Sequence, residues 1–136
     1  KDVLYGDHLW DLYKEYDIKL WKCGYDQRFS KDWITRMDSY GWTKENEDLI
    51  LILQNAQTLS NALKLCEADL KKQIINYNEN KIDRWCFKNA GIKVDDRSQC
   101  LCVKTEKAKR IDGAVTLIIL YETYRRYRTE YKQIVG

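Results

Sequence analysis

At 136 residues the chain is long enough to bury one core, and is expected to form a single domain over residues 1–136. Charged residues make up 33% and hydrophobic residues 44%, the balance of a soluble globular protein, and the formal net charge of +3 is too mild to identify a polyanionic partner by itself. No stretch approaches the ~20 apolar residues of a membrane span. The first residues, Lys1-Asp2-Val3, carry neither an initiator Met nor a signal-peptide pattern, which fits an excised fragment or a processed product.

Residues 2–16 place Val3, Leu9, Leu12, Tyr13 and Tyr16 at helical spacing, which predicts an amphipathic helix. Ile18 to Tyr25 reads as a strand ended by Gly24 and Asp26. Residues 28–40 read as a helix with Phe29, Trp33, Ile34 and Met37 on one face and Gly41 as its stop. Leu49 to Leu53 is wholly apolar and reads as a buried parallel strand, although periodicity alone also allows a helix. Thr58 or Ser60 is expected to cap the next helix, whose inward positions are Leu59, Ala62, Leu63, Cys66 and Leu70. Ile82, Trp85, Cys86 and Asn89 suggest a short helix stopped by Gly91. Ile92 to Val94 and Cys100 to Val103, separated by Asp95-Asp96-Arg97-Ser98, form a hairpin pattern. Ile111 to about Ile134 is one long helical pattern, uninterrupted because the chain has no proline.

Two strands joined by a helix imply a parallel crossover, so the expected class is α/β, or α+β if the hairpin extends the sheet at its edge. The five cysteines form no metal pattern: Cys23, Cys66 and Cys86 are scattered, Cys100 and Cys102 are one residue apart, and His8 is the only histidine. Small buried thiols in a reducing compartment are the simpler reading. The five tryptophans read mostly as core anchors. Tyr124, Tyr127 and Tyr131 share one helical face, which favours packing over stacking on nucleic acid.

Two acids stand out. Asp26 lies just past the carboxyl end of the first strand, the edge where ligand groups gather in open parallel sheets. Asp112 lies between a cationic run, Lys104 to Arg110, and the long apolar helix. Paired carboxylates holding divalent metal are what two-metal phosphodiester cleavage requires. Each also has a simpler reading as a helix cap or dipole partner, and spacing alone leaves both open.

Five short segments in order resemble the nuclease domain of phage large terminases. They are Gly24-Tyr25-Asp26, Gln57-Thr58-Leu59-Ser60, Asp83-Arg84-Trp85 with Asn89, the Val94-Asp95 and Val103-Lys104 hairpin, and Arg110-Ile111-Asp112-Gly113. The resemblance spans nearly all of residues 17–120. It implies a ribonuclease-H-like fold: a partial sheet with flanking helices and a β-hairpin before a long C-terminal helix. It implies a metal-dependent endonuclease that cuts concatemeric viral DNA during packaging. Asp26 and Asp112 would be catalytic ligands of Mg²⁺ or Mn²⁺, within roughly 4–8 Å of each other, and Lys104, Lys107, Lys109 and Arg110 would lie near DNA phosphates. Double-stranded DNA, the small terminase subunit and the portal would be partners, in the host cytoplasm and away from membranes.

Two departures qualify that expectation. The family's first catalytic Asp sits on a strand for which this chain has no counterpart, since Asp2, Asp7 and Asp11 fall on a helical pattern, and no Gly-x-x-x-x-Gly-Lys motif occurs. The expectation is therefore part of a nuclease domain, binding metal weakly and cutting poorly by itself. The alternatives are a non-catalytic phage interaction or DNA-binding module, or a fragment of another ribonuclease-H-like nuclease. An open edge along 18–24, beside the apolar 49–53, predicts self-association or a segment that covers it.

Overall fold

A computed structural model describes residues 2–136, with side chains described from Tyr5 onward. The chain forms two compact units, Lys1–Leu53 and Gln54–Gly136, each with its own elements.

The first unit runs α1 (Asp2–Tyr16), β1 (Cys23–Tyr25), α2 (Lys31–Ser39) and β2 (Leu49–Leu51). Asp17, in the left-handed region at φ +53°, ends α1. β1 and β2 pair in parallel, Cys23 opposite Leu49 and Tyr25 opposite Leu51, with α2 as the crossover that the sequence pattern implies. The expected strand from Ile18 is cut to three residues because β2 offers only three partners, and Ile18 is exposed. The edge is thus shorter than the self-association argument requires, and Leu20 packs against the core of this unit. The helix expected from residue 28 starts at Lys31, since Phe29 sits at φ +60° and is exposed. Gly41, at φ +87°, follows its end as expected.

Tyr25, Met37 and Leu49 form the buried core of this unit, with Leu9, Cys23, Trp33, Ile34 and Trp42 packed around them. The run 49–53 is not buried throughout. Leu49, Ile50 and Ile52 are inside while Leu51 and Leu53 are exposed, because a two-stranded sheet cannot cover both faces of its strand. An aromatic cluster ties α1 to the end of α2: Trp10 stacks on Tyr40 at 4.8 Å between centroids and meets Trp42 edge-on at 5.7 Å. Beside it the Arg36 Nε donates to Asp7 Oδ1 at 2.7 Å, and the Tyr40 hydroxyl donates to the same oxygen. The hydrogen bonds from Arg36 and then Tyr40 hold the Asp7 carboxyl below its ordinary range.

The second unit runs α3 (Ala56–Lys71), α4 (Lys81–Asn89), β3 (Ala90–Val94), β4 (Cys100–Lys104) and α5 (Asp112–Val135). α3 is capped by Asn55, whose side chain accepts from Thr58 N, rather than by Thr58 or Ser60. Ser60 is instead buried and accepts from Cys100 N at 2.9 Å, which fixes α3 to β4. β3 and β4 form the expected hairpin as a separate two-stranded antiparallel sheet, so it does not extend the β1–β2 sheet. Its turn is built on Asp95 Oδ1, which accepts from Arg97 N and Gln99 N, both at 2.9 Å.

Leu59, Ala62, Leu63 and Cys66 of α3 and Ala114 and Ile118 of α5 are buried, and α5 also packs against α4. Ile82 and Trp85 lie on the outer side of α4, so Trp85 is not a core anchor; Cys86 and Asn89 carry the buried face. α5 is kinked at Tyr127 (φ −114°, ψ 16°) despite the absence of proline. The kink follows Thr123, whose hydroxyl donates back to Ile119 O at 2.8 Å, a bond that bends helices, and it comes where the helix leaves its packed face. Beyond it Tyr131 packs edge-on against Tyr124 at 5.8 Å rather than into a core.

The thiols behave as core groups. Burial pushes Cys23 and Cys66 up to about 11 and raises Cys102 as well, so all three stay protonated at neutral pH.

Candidate functional site

Asp26 belongs to the first unit and Asp112 to the second, and each is built by local physics. Asp26 follows β1 directly. Its Oδ1 accepts from Arg28 N at 3.3 Å, a small turn that folds the chain back before α2. It is not the α2 cap, because Ser30 holds that position and makes no side-chain cap bond; its hydroxyl donates to Gln27 O at 2.9 Å.

Asp112 is the first residue of α5. Ile111 occupies the N-cap position, without a side-chain bond, so the capping reading of Asp112 also fails. The carboxylate is exposed, lies in the first turn where the helix dipole favours negative charge, and forms no ion pair among the described residues.

What surrounds Asp112 is more ordered than its exposure suggests. Ile111 is buried beneath it. The backbone carbonyl of Arg110 accepts from the Asn89 side-chain amide at 3.0 Å. Asn89 is 3% exposed, and its own carbonyl accepts from both the amide and the hydroxyl of Thr105. The end of α4, the end of the hairpin and the start of α5 are thereby tied at one residue. Gly113 lies so close to α4 that a Cβ there would stand 2.7 Å from Asp83 Oδ1 and 3.4 Å from Cys86 Sγ. A glycine after the acid lets α4 approach closely, and a Cβ there would push the Asp83 carboxylate aside. This contact sets the Asp83 carboxylate beside the residue after Asp112. Asp83 lies outside the pair of acids that the sequence singles out, and the signal for it was the glycine directly after an acid at a helix start.

The basic positions separate. Lys104 ends β4, and Lys104, Lys107 and Arg110 have exposed side chains. Lys109 is half-buried and paired to Glu106 at 3.0 Å, which makes it the weakest candidate for a phosphate. Among the described residues no group of three or more His, Cys, Asp or Glu side chains is arranged to hold a metal ion.

The comparisons with known proteins agree with this arrangement of motifs. The family model described as terminase large subunit, endonuclease domain, matches residues 13–127. The chain belongs to that family. In three dimensions it is similar to the crystal structure of the HK97 bacteriophage large terminase, with a TM-score of 0.73 at 16% identity, over 90% of this chain and 24% of that one. At that identity the likeness is one of fold, and the chain spans about a quarter of that terminase. No curated protein matches the chain in sequence. The terminase family match runs from the end of α1 to the kink in α5 and so contains every motif discussed above.

Proposed function

We propose that the chain is part of a ribonuclease-H-like, metal-dependent endonuclease that cleaves concatemeric viral DNA during packaging, with Asp26 and Asp112 as metal-binding carboxylates. The observation that carries this reading is the start of α5: an exposed Asp112, without an ion pair among the described residues, on a backbone fixed by buried Asn89. A surface acid that served only solubility would not need that support.

The donors suit a hard, oxygen-seeking cation in kind, being carboxylates with no thiolate or imidazole among them. Mg²⁺ or Mn²⁺ bound there supplies a water of lowered pKa and charge to steady a leaving oxygen. The chain's own contribution is to hold the carboxylates and to neutralise phosphate through Lys104, Lys107, Lys109 and Arg110, with Lys109 contributing least. Such contacts give affinity without sequence choice. On this reading the substrate is double-stranded DNA in the host cytoplasm, and the small terminase subunit and portal are the partners; self-association through β1 is a further expectation, weakened by the short edge.

Calorimetry with Mn²⁺ tests the assignment. Asp26→Asn and Asp112→Asn should each weaken an already modest affinity. Equal Mn²⁺ binding by wild type and both variants would move the site elsewhere. DNA binding that survives with no Mn²⁺ dependence of any kind would instead favour a non-catalytic module.

A further inference from the structure

The first unit carries an open cleft of about 380 Å³ at the carboxyl ends of its two parallel strands. It is lined by Tyr25 and Leu51, the last residues of β1 and β2, by Gln27, Ser30 and Lys31 at the approach to α2, and by Lys44. Asp26 lies in the chain between two of these lining residues, Tyr25 and Gln27.

Three features make this a site for an anion. Lys31 and Lys44 are exposed, and neither forms an ion pair among the described residues, whereas Lys14, Lys71 and Lys109 are each paired to a neighbouring acid. The backbone turn that carries Lys44 is fixed by Asp48 Oδ2 accepting from Thr43 N at 3.1 Å and by Thr43 Oγ1 accepting from Asn46 N at 3.0 Å. Tyr25 is only 9% exposed, packed against Trp33, and its hydroxyl has no hydrogen-bond partner among the described residues. No buried side-chain polar atom is left without a partner among the described residues, so the hydroxyl of this residue, which lines the cleft, reaches solvent and is open to a ligand. Here the polar end is left at a cleft with two free ammonium groups.

We infer that this cleft receives a backbone phosphate of the DNA strand held beside Asp26, with Lys31 and Lys44 supplying charge and the Tyr25 hydroxyl a directed donor. The inference rests on the nuclease reading above and extends it. It gives the Asp26 side of the protein its own hold on the substrate, separate from Lys104, Lys107 and Arg110.

The test is duplex binding by fluorescence anisotropy across a salt series, in EDTA. Removing metal takes any ligand role of Asp26 and Asp112 out of the measurement, so failure of the metal assignment leaves this result standing. The double variant Lys31→Ala/Lys44→Ala should flatten the plot of log affinity against log salt by about 1, since one neutralised phosphate contributes ~0.9. Lys14→Ala/Lys71→Ala removes the same charge from paired surface lysines and should leave the slope as it was. Tyr25→Phe should weaken binding about threefold with the slope unchanged, the loss of one directed hydrogen bond. An unchanged slope in the Lys31/Lys44 variant, or equal flattening in both double variants, would overturn the proposal. Saturable binding of inorganic phosphate that is lost in the Lys31/Lys44 variant while its DNA slope stays intact would also overturn it, assigning the cleft to a free anion.

Discussion

The two units solve the same problem, presenting an acid at the end of an element, by different means. In the first, Asp26 is held by a turn of its own making, one bond from Arg28 N, above a core of aromatic and sulfur-containing side chains. In the second, Asp112 makes no side-chain bond among the described residues, and its backbone is fixed from outside by a buried amide, a buried Ile111 and a close helix contact at Gly113. The second arrangement depends on polar groups taken out of water, and such groups carry large penalties when their partners are removed. Substitutions in the second unit should therefore be more damaging than comparable ones in the first.

The strongest test of that difference is Glu122. It is 1% exposed, and its oxygens accept from Arg125 Nε and Nη2 and from Arg126 Nε, all at 2.9 Å. Glu122→Ala should destabilise the second unit by about 2–3 kcal/mol, below the full cost of breaking a buried pair because both arginines reach solvent. The same residue gives a pH dependence. Burial pushes its carboxyl up, but the hydrogen bonds from Arg125 and Arg126 outweigh that and leave it below the ordinary glutamate value of 4.5. Its contribution is therefore complete above about pH 4.5 and is lost as the pH falls through the lowered folded value. Urea titrations at several pH values should show this acid-side loss in the wild type and its absence in Glu122→Gln.

Asn89→Ala comes next. It strands the Arg110 carbonyl at the base of the site, at a cost of about 1–3 kcal/mol. If thermal melts show no loss, the second unit is not organised around this residue, and the contrast between the two units fails. A measurement of Mn²⁺ affinity in the same variant sharpens the point, because on the metal reading it should fall although Asn89 offers no ligand itself.

These two residues also mark how far the sequence can be read. Helix positions, the parallel crossover and the hairpin were legible, because burial periodicity and turn chemistry are local. The strand from Ile18 was over-read, since its length was set by β2, far along the chain. The start of α2 was misjudged because Phe29, apolar and in phase with the helix, adopts a left-handed conformation and faces water. Asn55 caps α3, while Thr58 and Ser60, which have the right chemistry, come about one turn too late. Asp26 and Asp112 could be singled out as acids at element ends, but the Asn89–Arg110 bond leaves no local trace, and the approach of Asp83 to Gly113 leaves only the glycine after the acid, which does not name its partner. Such links join motifs that look independent in the sequence.

Gly113→Ala should cost less than Asn89→Ala, about 1 kcal/mol, because the atom that the new methyl meets at 2.7 Å is the end of the Asp83 side chain, which can rotate away. A double-mutant cycle with Asp83→Ala isolates the contact: the alanine at 113 should become nearly neutral once the carboxylate is gone. If the cost persists, the clash is with Cys86 instead, and Asp83 is not the group that demands a glycine.

The smallest effect should come from the first unit. Tyr40→Phe removes the hydroxyl bonded to Asp7 but keeps the ring stacked on Trp10, 10° from parallel, and leaves the Arg36–Asp7 pair in place. Both the acid and the arginine are open to water, so the lost bond can be replaced by solvent. The thermal midpoint should barely move and Trp fluorescence should be unchanged, while the Asp7 carboxyl should titrate somewhat higher, because one of the two hydrogen-bonding partners that lower it is gone. Observing the acid-side titration of Asp7 by carboxyl NMR would check this. A large loss of stability would mean that the aromatic cluster needs its polar rim, and that the first unit, like the second, is organised around a polar group held out of water.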